Sequence, residues 1–201
     1  MSTRKSFSKF NTKSAMQLIG QERLCEWQME FAPAPPSAAL KLHLERIKSF
    51  DLTSTERAKE LIIDALCAEV APHYPGLKIW KSAPLESQEL TGEADYLVTP
   101  NRAYIDTPLL CAVEAKKDDF EKGLAQCLVE LHACAELNAA AGMTPDLFGI
   151  VTNGQAWQFY HRRTNGSVAE SALFAMRDMD DLLGALHLVF SQCAANLPKP
   201  L

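Results

Sequence analysis

The sequence predicts an α/β fold in which helices cover both faces of a mixed β-sheet. Three observations lead to this prediction. Helical and extended patterns follow one another in the order helix, three strands, long helix, two strands, helix. Residues 109–115 are apolar except for Glu114, a composition that is typical of a buried central strand. The helices before and after that run each carry one apolar face, which needs a sheet to pack against.

Length and composition set the outer limits. The chain has 201 residues, of which 47% are hydrophobic, so it suits one domain with a short N-terminal addition. No stretch approaches the ~20 apolar residues of a membrane span. The N-terminus is basic, with Arg4, Lys5 and Lys9, and it lacks the apolar region of a secretory signal. We therefore expect a cytoplasmic protein that makes no use of a membrane.

Cysteine spacing and net charge exclude two further classes. The six cysteines include no C-x-x-C pair and no zinc-finger spacing, so small buried side chains in a reducing compartment are favoured. The formal charge of −5 argues against a protein that coats nucleic acid through charge alone. It leaves room for an enzyme with a local basic patch.

Residues 1–50 are predicted to be an extension packed on a main domain of residues 51–201. Alternating apolar residues over 24–31 predict a half-buried strand, and the proline-rich residues 32–36 predict a stiff connector. Ser37 is placed to cap a helix. In the main domain, Thr53 and Glu56 have capping-box spacing at the start of an amphipathic helix.

The remaining elements follow from periodicity and turn signals. Strand and helix patterns alternate until Asn153 and Gly154, a strong turn signal, which predict a hairpin. The predicted strands are 77–80, 94–98, 109–115, 147–152, 156–161 and 172–176, and the predicted helices are 119–141 and 178–195.

The candidate chemistry lies at the end of the third strand. Strand side chains alternate, so Glu114 and Lys116 point to one face and Ala115 to the other. If the second and third strands pair as a hairpin, Asp95 and Glu114 can converge on one hard cation such as Mg²⁺ or Mn²⁺. Lys116 then supplies a positive charge next to a phosphate and can orient or deprotonate a water.

These residues resemble the PD-(D/E)XK, or restriction-endonuclease-like, nuclease superfamily. The resemblance rests on Gly-Glu-Ala-Asp-Tyr at 92–96 followed by Val-Glu-Ala-Lys at 113–116, with Ala94 where the motif has proline. It implies a restriction-endonuclease-like mixed sheet flanked by helices on both faces. It also implies Asp95, Glu114 and Lys116 as catalytic residues, with Asp95 and Glu114 as ligands of Mg²⁺.

Further likenesses cover residues 54–163. Gln126 stands on the following helix where some subfamilies carry a glutamine, although Glu130 replaces the tyrosine that accompanies it. Residues 149–160 are similar to the hairpin after the motif in the nuclease region of type I restriction enzyme R subunits. The first helix offers Glu60, or Glu56 one turn earlier, as the auxiliary acid that many members place there.

The resemblance implies a Mg²⁺-dependent endonuclease that hydrolyses DNA phosphodiesters in restriction, defence or repair. Lys117, Arg162 and Arg163 are candidates for contact with nucleic acid, and a homodimer or a partner protein would supply specificity. Two alternatives stay open at this point. The chain is a catalytically inactive module with the nuclease fold that binds nucleic acid or a protein, or Glu114 and Lys116 form a structural salt bridge only.

Overall fold

The computed structural model describes residues 4–52, 54–116 and 119–198. Five α-helices lie within these ranges, and two short 3₁₀ helices, Phe7–Lys9 and Ala71–His73, stand beside them. The α-helices are α1 (Thr12–Ile19), α2 (Ala38–Ile47), α3 (Glu56–Val70), α4 (Phe120–Ala140) and α5 (Met179–Ala195).

The strands of the described residues form one nine-stranded sheet. They are β1 (Lys5–Ser6), β2 (Cys25–Glu26), β3 (Leu77–Glu86), β4 (Leu90–Pro100), β5 (Cys111–Ala115), β6 (Leu147–Thr152), β7 (Ala156–Arg162), β8 (Val168–Glu170) and β9 (Phe174–Ala175). The main path runs β1-β4-β5-β6-β7-β8-β2, while β3 pairs with β4 and β9 pairs with β7.

The sheet is mixed, as the alternation of helices and strands predicts. Strands β5 and β6 run parallel and are joined through α4, the crossover that a parallel pair requires. The pairs β3–β4, β4–β5 and β6–β7 are antiparallel. Two hydrophobic clusters lie on opposite faces of this sheet. One is built with α2, α3 and α5 and the other with α1 and α4, so helices cover both faces.

The N-terminal fifty residues take part in the sheet itself. Strand β1 adds to β4 near one edge, and β2 adds to β8 at the other, both in parallel. The strand predicted for residues 24–31 is therefore shorter than expected, because regular pairing with β8 covers only Cys25 and Glu26. Beyond it, Phe31 packs against α5 at Gly184, where an added Cβ would meet the Phe31 ring at 2.6 Å.

Element ends differ from the sequence pattern most clearly at the start of α3 and in the β3–β4 hairpin. Helix α3 is capped by Thr55, whose side chain accepts a hydrogen bond from Ala58 N–H, whereas the predicted cap Thr53 lies outside the described residues. Strands β3 and β4 extend far beyond the predicted 77–80 and 94–98. Pro84 stands inside β3, which pairs only with β4 among the described strands, and proline within a sheet is found mainly on such edge strands.

Candidate functional site

Asp95, Glu114 and Lys116 meet where strands β4 and β5 separate. The two strands are paired through Tyr96 and Val113, and continuing that register would set Asp95 opposite Glu114. Instead of a backbone bond, the Ala115 N–H donates to Asp95 Oδ2 at 2.7 Å. The Lys116 ammonium forms an ion pair with Glu114 Oε1. A carboxylate from each strand and one lysine thus surround the last residues of β5.

The carboxylates of Asp95 and Glu114 are held in an environment that resists their ionisation. Burial raises the pKa of Asp95, against the hydrogen bond from Ala115 and the charge of Lys116. Burial, followed by repulsion from Asp95, also raises the pKa of Glu114. The side chain of Glu114 is only 2% exposed, so water screens its charge very little.

Lys116 keeps its charge in this site. Burial by itself would lower its pKa, but attraction to Glu114 and Asp95 outweighs burial and raises the pKa overall. The lysine side chain lies over Gly123 of α4, where an added Cβ would come within 3.0 Å of Lys116 Cγ and 2.6 Å of Val151 Cγ1. The geometry therefore suits Lys116 as a fixed cation more than as a proton acceptor.

Glu130 is a further acid of the site that the sequence interpretation did not assign to it. It comes from the sheet-facing side of α4, is fully buried, and approaches Glu114 within hydrogen-bonding reach. Neither Glu130 oxygen has a donor partner, and Glu114 Oε2 lacks one too. A bond between the two carboxyls therefore needs a proton on one of them. Burial, then repulsion by Glu114, raises the pKa of Glu130 well above its ordinary value.

A sequence signal for Glu130 exists. The residue stands among Cys127, Leu128, Leu131 and Cys134, all buried, so an acid interrupts the apolar face of α4. Burying an unpaired charge is unfavourable, and such an interruption marks a candidate site. In the resemblance to the nuclease family, Glu130 stands where the pattern has tyrosine.

The predicted auxiliary acid Glu60 lies next to the site in a cluster of its own. Its carboxylate pairs with Lys81 at 2.9 Å, and the same lysine bonds Asp64 at 2.8 Å. Tyr96 donates its hydroxyl proton to Asp64 at 2.8 Å. Glu60 and Glu56 act on Asp95 only through their negative charge, which contributes to the raised pKa of Asp95.

Among the described residues, Gln126, Arg162 and Arg163 form no hydrogen bond or ion pair with Asp95 or Glu114. Gln126 is half-buried on α4 and makes no side-chain hydrogen bond among the described residues. Lys117 lies outside the described residues. Arg162 pairs with Leu147 at the start of β6, whereas the site adjoins Thr152 at its end, whose carbonyl accepts from Lys116 N–H. At about 3.3 Å per residue, Arg162 and its neighbour Arg163 are roughly 16 Å from the site along the sheet.

Within the described ranges, no three His, Cys, Asp or Glu side chains are already arranged as a cage for a metal ion. The Glu114 carboxylate is turned towards Lys116 and Glu130, while Asp95 is turned towards the backbone of Ala115. In the same part of the chain, no helix combines the length and apolar character needed to cross a bilayer.

Comparison with known proteins gives a local likeness. No family model matches the chain. A stretch of 50 residues is 50% identical to Crinkler effector protein 5 of Phytophthora infestans. The match covers 25% of this chain and 13% of the Crinkler protein, so it relates one segment of the two proteins.

Proposed function

We propose that this protein is a metal-dependent nuclease with a restriction-endonuclease-like fold that hydrolyses DNA phosphodiester bonds. The observation that carries the proposal is the meeting of Asp95, Glu114 and Lys116 at the point where β4 and β5 part. The order of strands and helices around this point and the residues of the motif both agree with the PD-(D/E)XK pattern.

The charge of the site fits a divalent cation. Asp95, Glu114 and Glu130 are acids of one buried cluster, and Lys116 is its cation. With all three acids ionised, Lys116 balances one negative charge and two remain, which is the charge that Mg²⁺ or Mn²⁺ would neutralise. Carboxylate oxygens are the ligands that such hard cations prefer. Asp95 and Glu114 would hold the ion.

A bound Mg²⁺ would polarise the phosphoryl oxygen and acidify a water molecule. The chain itself supplies the remaining functions. Lys116, kept charged by Glu114 and Asp95, stabilises the negative charge that develops on the attacked phosphate. The Ala115 amide fixes the direction of the Asp95 carboxylate, and Gly123 leaves the space that the lysine side chain needs.

The site of one chain acts on one strand. Cleavage of both strands of a duplex therefore requires a second copy of the chain, a partner protein or rebinding. The distant basic residues Arg162 and Arg163 would contact nucleic acid only if it extended along the sheet away from the cut. We accordingly place specificity outside the three central residues.

The test is cleavage of linear, nicked and branched DNA, with RNA alongside, by the full chain in Mg²⁺ or Mn²⁺. We expect Lys116→Ala and Asp95→Asn to lower the cleavage rate at least about 100-fold, the size of effect seen when a transition-state charge contact is removed. Lys122→Ala is the matched control, because Lys122 is an exposed residue in the first turn of α4.

Circular dichroism at the assay temperature must show that each variant is folded. Equal cleavage by wild type and Lys116→Ala would contradict the proposal and point to a contaminating nuclease. If wild type cleaves no substrate but binds nucleic acid, the inactive module becomes the better interpretation.

A further inference from the structure

The β3–β4 hairpin changes the faces of its side chains halfway along. Leu77 and Ile79 of β3 pack with the α3 and α5 side of the sheet. Ala83 and Leu85 pack with the α1 and α4 side, although their positions are also odd-numbered. In an uninterrupted strand all four would point to one face, since side chains alternate with a period of two. The odd-numbered side chains therefore change from one face of the sheet to the other between Ile79 and Ala83.

Strand β4 shows the same inversion at the matching position. Tyr96 and Val98 belong to the α3 and α5 side, and Ala94 and Leu90 belong to the α1 and α4 side. Pairing within the hairpin passes directly from Lys81 with Tyr96 to Ala83 with Ala94. The two residues left out of the ladder are Ser82 and Asp95.

Ser82 has an unusual backbone conformation at this point of the hairpin. Its φ is 50°, and it is the non-glycine residue of the described chain with a positive φ. The left-handed region is disfavoured for residues with a side chain because Cβ comes close to the following carbonyl oxygen. Such conformations persist where the surrounding structure enforces them, and they are concentrated at functional sites. Lys81, the preceding residue, is tied to Glu60 and Asp64 of α3, which anchors this point of the hairpin.

The inversion coincides with the departure of β4 from β5. The last paired residues are Tyr96 and Val113, and the next position on β4 is Asp95. Beyond it, β4 pairs with β1 through Leu90 and Thr91. The Ala115 amide, released from the β4 backbone, donates to the Asp95 carboxylate at 2.7 Å.

We infer that Ser82 is a positioning residue: its left-handed backbone turns the hairpin at Asp95, separates β4 from β5, and directs the Asp95 carboxylate to the end of β5. The evidence for this geometry is the strand pairing and the two hydrophobic clusters on opposite faces of the sheet. Its consequence for metal binding rests on the proposed function.

A series of substitutions at Ser82 tests the inference in the full-length chain. Glycine and asparagine accept the left-handed region, whereas alanine and especially the β-branched valine do not. The first readout is hydrogen exchange of the Ala115 amide by NMR. We expect protection in Ser82→Gly and Ser82→Asn at the wild-type level, and loss of protection in Ser82→Val equal to that in Asp95→Ala. Ser82→Ala should lie between them.

The second readout is Mn²⁺ affinity measured by titration calorimetry. We expect Ser82→Val to bind Mn²⁺ about tenfold more weakly than wild type, as when a residue that orients a metal ligand is lost. Thr91→Val, which likewise replaces a hydroxyl residue by valine but on the outer half of β4, is the control and should bind as wild type does.

The two readouts separate the inference from the proposed function. If Ser82→Val folds and keeps both the Ala115 protection and the Mn²⁺ affinity, the inference is overturned while the nuclease proposal stands. If wild type binds no Mn²⁺, the proposed function fails, and amide protection across the series still decides the inference. Should valine prevent folding, Ser82→Ala must still show less protection of the Ala115 amide than wild type, Ser82→Gly and Ser82→Asn, and equal protection in all four proteins would overturn the inference.

Discussion

Two acidic clusters lie side by side in this protein, and they differ in burial and in the donors available to their carboxylates. In the outer cluster, Glu60 and Asp64 of α3 share Lys81, and Asp64 also accepts the Tyr96 hydroxyl. The acids there are partly exposed, at 26% and 40% of their side-chain surface.

In the inner cluster, Asp95, Glu114 and Glu130 depend on Lys116 and on the Ala115 amide. Glu130 is fully buried with both oxygens lacking a donor, and Glu114 Oε2 also lacks one. The partly exposed acids of the outer cluster therefore have ion-pair and hydrogen-bond partners, whereas oxygens of the buried acids in the inner cluster lack donors. Buried polar groups are ordinarily satisfied, so the missing donors of the inner cluster support the proposed metal site.

The largest difference between the clusters should appear when each loses its lysine. Lys116→Met removes the cation of a buried group of acids and should lower the free energy of unfolding by about 3 kcal/mol. Lys81→Met is the matched control. Because the Lys81 side chain is 45% exposed, its pairs are screened, and we expect a loss of about 0.5 kcal/mol. Urea unfolding in EDTA measures both values. Equal losses would remove the distinction between the clusters.

The second prediction concerns Glu130, the buried acid whose oxygens have no donor. The pKa of Glu130 is raised in the folded protein by burial and by Glu114. A raised folded pKa favours folding below the unfolded value of about 4.3 and loses that advantage as pH rises towards the folded value. Glu130→Gln should therefore stabilise the metal-free protein by about 2 kcal/mol at pH 7.5 and by less at pH 4.

Urea unfolding at the two pH values in EDTA gives the comparison for Glu130→Gln. Glu121→Gln, at an exposed position in the first turn of the same helix, should change stability little at pH 7.5. A destabilised Glu130→Gln protein, or a gain of the same size at both pH values, would show that Glu130 is already satisfied without a ligand.

Features that depend on local periodicity were predictable from the sequence. Alternation along β5 predicts Glu114 on one face and Ala115 on the other, and the structure has Glu114 beside Glu130 of α4 and Ala115 in the cluster with α3 and α5. Helix α5 begins one residue after the predicted start, and the Asn153–Gly154 turn joins β6 to β7. Capping residues and apolar stripes lie within a few positions of the element that they predict, so the sequence alone reveals that element.

Features that depend on distant contacts were not predictable in the same way. Glu130 is brought against Glu114 by the packing of α4 on β5, and a separation of sixteen positions in the sequence does not reveal that contact. Ser82 carries no local signal for a positive φ, since glycine or asparagine is the usual residue there. The distance of Arg162 from the site was predictable, because a tight hairpin puts the far end of β7 beside the start of β6. The PD-(D/E)XK assignment stays a prediction.

Of the three main substitutions, the one at the Tyr96 hydroxyl should change the free energy of unfolding least. Whether it stabilises or destabilises the protein decides what the outer acids need. Tyr96→Phe removes the bond to Asp64, whose remaining partner Lys81 is retained, and we expect a loss of about 1 kcal/mol in the free energy of unfolding. Tyr160→Phe is the control, since its hydroxyl donates to the neutral Gln158 amide oxygen at 2.9 Å and should lose less.

A double-mutant cycle with Asp64→Asn assigns the Tyr96 effect to the acid. If Tyr96 compensates Asp64, the cost of Tyr96→Phe should fall when Asp64 is already neutral. Removing a partner would then destabilise the outer cluster, whereas removing the charge of Glu130 stabilises the inner one. If Tyr96→Phe stabilised the protein, or if the loss that it causes were unchanged by Asp64→Asn, the outer acids would need no partner. The difference in hydrogen bonding would then no longer distinguish the inner cluster as a site.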